Sequence, residues 1–197
     1  FQKAINCYQK AIEIQPNFAE AHNNLGLVFH ALGNFQKAKS CYEKAIQINP
    51  NATEALNNLG IALKELGEYE KATKAYQKAI QTNPNFTNAH TNLGAAFHET
   101  GEYKKAISAY EKAIEIDPNF SSAHLNLGVV FEDLGKFKKA VSWYEKALKL
   151  DPEAVNAQAN ISNIYIAQLD NLEKAISESN KTLKIHNKTS EFINQKI

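Results

Sequence analysis

The chain has 197 residues, 44% hydrophobic and 22% charged, proportions of a globular protein that exclude wholesale disorder. Lysine supplies all 22 basic residues against 21 acids, and the formal net charge of +1 gives no global field to draw nucleic acid or anionic lipid. No apolar run approaches the roughly 20 residues of a membrane helix. No secretory signal opens the chain, and Phe1 as first residue with no methionine anywhere predicts that the numbering starts inside a longer parent.

Punctuating residues recur at a fixed interval. The five prolines, Pro16, Pro50, Pro84, Pro118 and Pro152, stand 34 residues apart. The eight glycines fall into two columns with the same period, one of Gly26, Gly60, Gly94 and Gly128 and one of Gly33, Gly67, Gly101 and Gly135. Such self-similarity signals an array whose neighbouring units bury one another's apolar faces.

In chain order, Phe1–Ile14 predicts a single helix, the second helix of a truncated leading repeat over residues 1–18. Ala19–Leu32 follows as a helix A, with Ala21, Leu25, Val28, Phe29 and Leu32 as its apolar stripe and Gly33 as a left-handed terminator. Phe35–Ile48 is a helix B that stops at Asn49-Pro50, because proline cannot continue the hydrogen-bond ladder. This pair forms a unit over 19–52 and recurs over 53–86, 87–120 and 121–154. Residues 155–188 make a degenerate unit, with Ser162 in the first glycine column, Leu169 in the second and Ala175 one residue late. Residues 189–197 predict a C-terminal capping helix carrying Phe192, Ile193 and Ile197. The fold class is all-α, a solenoid of stacked antiparallel helix pairs.

Small residues align at Ala38, Ala72, Ala106 and Ala140, and rings align at Tyr42, Tyr76, Tyr110 and Tyr144. Large knobs facing small holes let helix axes approach to about 8–10 Å. Glycine inside helix A, as at Gly60, costs about 1 kcal/mol, which a close backbone contact is expected to offset. Ala106→Leu is expected to overpack its site by about 1–3 kcal/mol, read as a lowered melting temperature.

These residues resemble the tetratricopeptide repeat, which has the same period and a W-x2-L-G-x2-Y, A-x3-F, P pattern. Here the pattern stands as His22-x2-Leu25-Gly26-x2-Phe29, Ala38-x3-Tyr42 and Pro50. It departs from the family in holding His22, Leu56, His90 and His124 where tryptophan is usual. The resemblance implies a right-handed superhelix whose helices A line a concave groove. Carried over position by position, the groove presents Asn24, Asn58, Asn92, Asn126 and Asn160. Beside them run Leu27, Ile61, Ala95 and Val129, with Asn163 ending the row, and then Ala31, Glu65, Glu99, Asp133 and Ala167.

Asparagine is a poor helix former, so five at one structural position call for a compensating role. Its amide carries a donor and an acceptor and can hold a peptide main chain whatever the side chains. It can equally bond to neighbouring helices and tie the repeats together, and both readings stand. The column is similar to the asparagine ladder in the repeats of protein O-linked N-acetylglucosamine transferases. Many family members hold an acidic chaperone tail in a clamp of lysine, arginine and asparagine. The corresponding positions here are Asn23, Leu27, Asn58, Asn88 and Asn92, with one match and every basic member missing. Between Ala19 and Pro152, helices A carry six acids and one lysine, whereas the remaining segments carry fourteen lysines and nine acids. The groove is therefore expected to favour neutral or basic peptides.

No catalytic constellation, phosphate loop, metal site or cofactor motif emerges. His22 and His30 lie about 12 Å apart along one helix, too far for one zinc ion, and His22, His90 and His124 read as packing residues. Cys7 and Cys41, one repeat apart, are too distant for a disulfide and read as reduced core thiols in a cytoplasmic protein. Sequons such as Asn51-Ala52-Thr53, Asn85-Phe86-Thr87 and Asn119-Phe120-Ser121 read as helix caps after proline rather than glycosylation sites.

The chain is thus expected to be a non-catalytic scaffold that holds an extended protein or peptide segment, with neither nucleic acid nor membrane as partner and without a cofactor. The alternatives are the substrate-recruiting region of a larger enzyme, such as a glycosyltransferase, and self-association through exposed repeat ends.

Overall fold

A computed structural model describes residues 1–167 and 177–181. Helix and turn account for all of the regular structure among the described residues. The helices are α1 (Gln2–Ile14), α2 (Ala19–Ala31), α3 (Phe35–Ile48), α4 (Thr53–Glu65), α5 (Tyr69–Thr82), α6 (Thr87–Glu99), α7 (Tyr103–Ile116), α8 (Ser121–Asp133), α9 (Phe137–Leu150) and α10 (Val155–Ala167). Within each unit consecutive helices pair antiparallel, as the 34-residue pattern predicts. The chain divides into two compact units, Phe1–Lys112 and Ala113–Ile197. Leu169, Ala175 and the C-terminal capping helix lie outside the described residues.

Each A-to-B turn is closed by a glycine. Gly67 has φ +75°, its N–H reaches the Lys64 carbonyl at 2.9 Å, and the Glu68 N–H reaches the Leu63 carbonyl at 2.9 Å. This paired closure satisfies two terminal carbonyls and needs a left-handed residue. The B-to-A turn has its own device. The Asn49 side-chain oxygen accepts from the Asn51 N–H at 3.1 Å, and Asn83, Asp117 and Asp151 repeat the bond two residues ahead. The residue before proline thus shapes the turn, and helices α4, α6 and α8 begin without a side-chain cap. The expectation that Asn51, Asn85 and Asn119 cap helices is corrected: they contribute backbone N–H groups to the turn.

In the first unit the core is a series of tyrosines set into small-residue holes. Tyr42, Tyr76 and Tyr110 are at most 1% exposed, and Ala38, Ala72 and Ala106 are fully buried. The helix-A glycines sit under these rings. A Cβ on Gly94 would fall 2.7 Å from Tyr110 Cε1 and 2.8 Å from Cδ1. The close neighbour of the glycine column is therefore a ring of the same repeat, not the backbone contact expected for Gly60. In the second unit Tyr144 packs with Ala140, Val141, Ala147, Ala157, Ile161 and Ile164. Gln158 of α10 donates to Glu178 in the helical segment 177–181.

Two further corrections concern exposure. Leu32 follows the last residue of α2 and is 48% exposed, so the covered part of the core stripe ends before it. Cys7 is exposed and Cys41 half-buried, so neither is a core thiol; partial burial still pushes the Cys41 thiol up.

Candidate functional site

The helix-A face of the first unit is built from α2, α4 and α6. Asn24, Asn58 and Asn92 are half-buried there. Asn58 Nδ2 donates to Asn23 Oδ1 at 3.1 Å, Asn92 Nδ2 donates to Asn57 Oδ1 at 2.8 Å, and Asn23 Nδ2 approaches Asn24 Oδ1 at 3.5 Å. Asn58 and Asn92 are therefore each bonded to the preceding repeat, leaving the amide oxygen and a second N–H outside that bond. In the second unit the preceding partner position holds Leu125, which cannot accept, and the Asn160 amide lies against the Tyr144 hydroxyl instead. Asn126 is half-buried on α8.

Asn57 is 6% exposed, so removing its donor strands a buried carbonyl. Asn92→Ala is expected to cost about 1–2 kcal/mol in urea unfolding, and Asn58→Ala with Asn92→Ala about twice that. A double variant as stable as the parent would show that these bonds do not hold the repeats.

The second row is graded. Leu27 is 44% exposed, Ile61 and Ala95 are half-buried, and Val129 is half-buried against the core of the second unit. Glu65, Glu99 and Asp133 border this row, and Glu65 pairs with Lys64 at 3.1 Å. These carboxylates act on the tyrosines beneath them. Burial pushes the Tyr76 hydroxyl above the usual phenol range and Glu65 adds to the shift; burial and then Glu99 do the same to Tyr110. Tyr144 is raised by burial first and then by its hydrogen bond to Glu132 at 2.6 Å. All three tyrosine hydroxyls therefore stay protonated near neutral pH.

The structure adds a feature that sequence reasoning missed. Between α2 and α4 lies a cleft of about 410 Å³, floored by Ala19, Ala45 and Ala55 and bordered by Asn23, Asn24, Glu20 and Glu54. Both glutamates are exposed, and no ion pair within the described residues engages either. The signal available was the repetition of glutamate at the second position of the first two regular helices A.

Three histidines anchor their helices to the preceding turn. His22, His90 and His124 set Nε2 at 3.0, 2.9 and 2.9 Å from the carbonyls of Pro16, Pro84 and Pro118, tying each helix A to the preceding turn. Leu56 takes this position in the unit between. Among the described residues no three metal-binding side chains gather, and no helix is long and apolar enough to cross a membrane.

Family models described as TPR repeat match residues 1–33, 62–101 and 96–135, and models described as tetratricopeptide repeat match 19–52, 41–74 and 121–153. The chain belongs to the tetratricopeptide repeat family. Among solved structures, this tetratricopeptide chain is similar to MamA at 26% identity, with a TM-score of 0.73 over 85% of this chain and 97% of that one. It shares its fold with TTC0263, a thermophilic TPR protein of Thermus thermophilus, at 22% identity and a TM-score of 0.72, covering 90% and 96% of the two chains. It also shares its fold with YrrB, described as a TPR protein with an unusual peptide-binding site, at 22% identity and a TM-score of 0.65 over 96% and 97%. No curated protein matches the sequence.

Proposed function

We propose that this tetratricopeptide chain is a protein-binding scaffold that holds an extended, neutral-to-basic peptide segment along its helix-A face. The observation that carries the reading is the cleft between α2 and α4. Its alanine floor accepts an aliphatic stem, while the carboxylates of Glu20 and Glu54 stand ready for the cationic end of a lysine or arginine. The amide oxygen and spare N–H of Asn58 and Asn92 suit a peptide main chain. Leu27, Ile61 and Ala95 offer shallow apolar contact next to them. The unusual peptide-binding site in YrrB's description supports the same class of ligand on this fold.

A displayed library of random dodecamers, selected on the full chain, tests the reading. Enriched sequences are expected to carry lysine or arginine, and Glu20→Lys with Glu54→Lys is expected to weaken the best of them by about tenfold to a hundredfold at low salt. The loss should shrink as ionic strength rises and the Debye length falls to about 8 Å. Enrichment without basic residues, or affinity unmoved by the charge reversal, would refute the cleft as the anchor.

A further inference from the structure

The helix-B side of the first unit carries a second cleft, of about 590 Å³, between α5 and α7 over α6. Ile80, Leu93, Phe97 and Ala109 line it, and His90 and Lys112 stand at its border. The repeat itself shows what such a cleft can hold. One period on, His124, Leu127, Phe131 and Lys146 occupy the equivalent positions, but alanine gives way to Trp143, the one tryptophan of the chain.

Within the second unit that indole fills the place. Its ring centre lies 5.6 Å from that of His124 at an interplanar angle of 44°, and Lys146 Nζ stands 3.7 Å from the ring centre. Leu127 beneath is fully buried, whereas Leu93 is 8% exposed. The imidazoles are presented alike, because His90 and His124 each place Nε2 2.9 Å from a proline carbonyl six residues back. The first unit thus repeats the ring's surroundings without the ring.

We propose that the cleft at Ala109 is a docking site for a tryptophan-sized aromatic side chain carried by a protein partner. The ring would lie on the His90 imidazole under the Lys112 ammonium, as Trp143 lies between His124 and Lys146. The apolar floor supplies the burial, and ring stacking with a cation over the π face supplies the preference for an aromatic over an aliphatic group. The site shares no residue with the cleft between α2 and α4, so either proposal can fail alone.

The test is a titration of the full, isotope-labelled chain with N-acetyl-L-tryptophanamide, followed by amide chemical shifts. Saturable shifts are expected at His90, Ala109 and Lys112, with N-acetyl-L-leucinamide about tenfold weaker. Ala109→Trp fills the cleft from within and is expected to abolish those shifts. His90→Leu, which the array already tolerates as Leu56, is expected to weaken the tryptophan probe by about threefold to tenfold while leaving the leucine probe unchanged. Shifts that never saturate, that scatter over the chain, or that persist in both variants would overturn the proposal.

Discussion

Tyr76→Ala is expected to destabilise the chain by about 3–5 kcal/mol in chemical unfolding, the cost of emptying a fully buried aromatic site. The ring is wedged between Gly60 and Leu63 of α4, Ala96 of α6 and the fully buried Ala72 of its own helix. No single neighbour can move in without dragging its helix. The hydroxyl contributes nothing comparable. Tyr76 Oη is buried without a partner, so Tyr76→Phe removes an unsatisfied group and is expected to be neutral or slightly stabilising. Tyr144 occupies the same column but donates to Glu132 at 2.6 Å, so Tyr144→Phe is expected to cost about 1–2 kcal/mol. Equal effects of the two Phe substitutions would show that the column is uniform and that the hydrogen bond at Tyr144 is energetically silent.

That contrast shows where sequence periodicity stops being informative. The helix pairs were legible because each marker has a backbone reason: a left-handed φ of +75° at Gly67 suits glycine, and proline breaks the ladder wherever it falls. The asparagine rows were legible as rows. Their bonding was not, because Asn92 reaches a residue of the preceding repeat, and only packed geometry brings Asn57 to it. The adjacent pairs Asn23-Asn24 and Asn57-Asn58 were the available hint, since an amide on one repeat needs an amide to meet on the next. The histidine anchors were hidden for the same reason. A ring nitrogen six residues from a proline carbonyl is a contact across a turn, not a spacing along one helix. The exposure of Cys7 and Leu32 is likewise absent from the pattern, because a helical stripe specifies a face but not whether a neighbour covers it.

Two glycine columns with one period fail for different reasons, and paired substitutions separate them. Gly94→Ala is expected to cost about 2–3 kcal/mol, although alanine is the better helix former by about 1 kcal/mol. The new methyl would meet Tyr110 Cε1, Cδ1 and Cζ at 2.7, 2.8 and 2.9 Å, and that ring is 1% exposed with nowhere to go. Trimming the ring should therefore relieve the methyl. Gly94→Ala in a Tyr110→Leu background is expected to be neutral or stabilising, a coupling that a double-mutant cycle reads directly. Gly101→Ala has nothing within 4 Å of the added carbon, yet φ of +74° makes any L side chain strained there, at about 1–2 kcal/mol. No trimming of a neighbour can rescue it, whereas asparagine, which tolerates the left-handed region, should recover part of the loss. If Tyr110→Leu rescued Gly101→Ala as well as Gly94→Ala, the two columns would share one cause and the steric account of the inner glycine would fall.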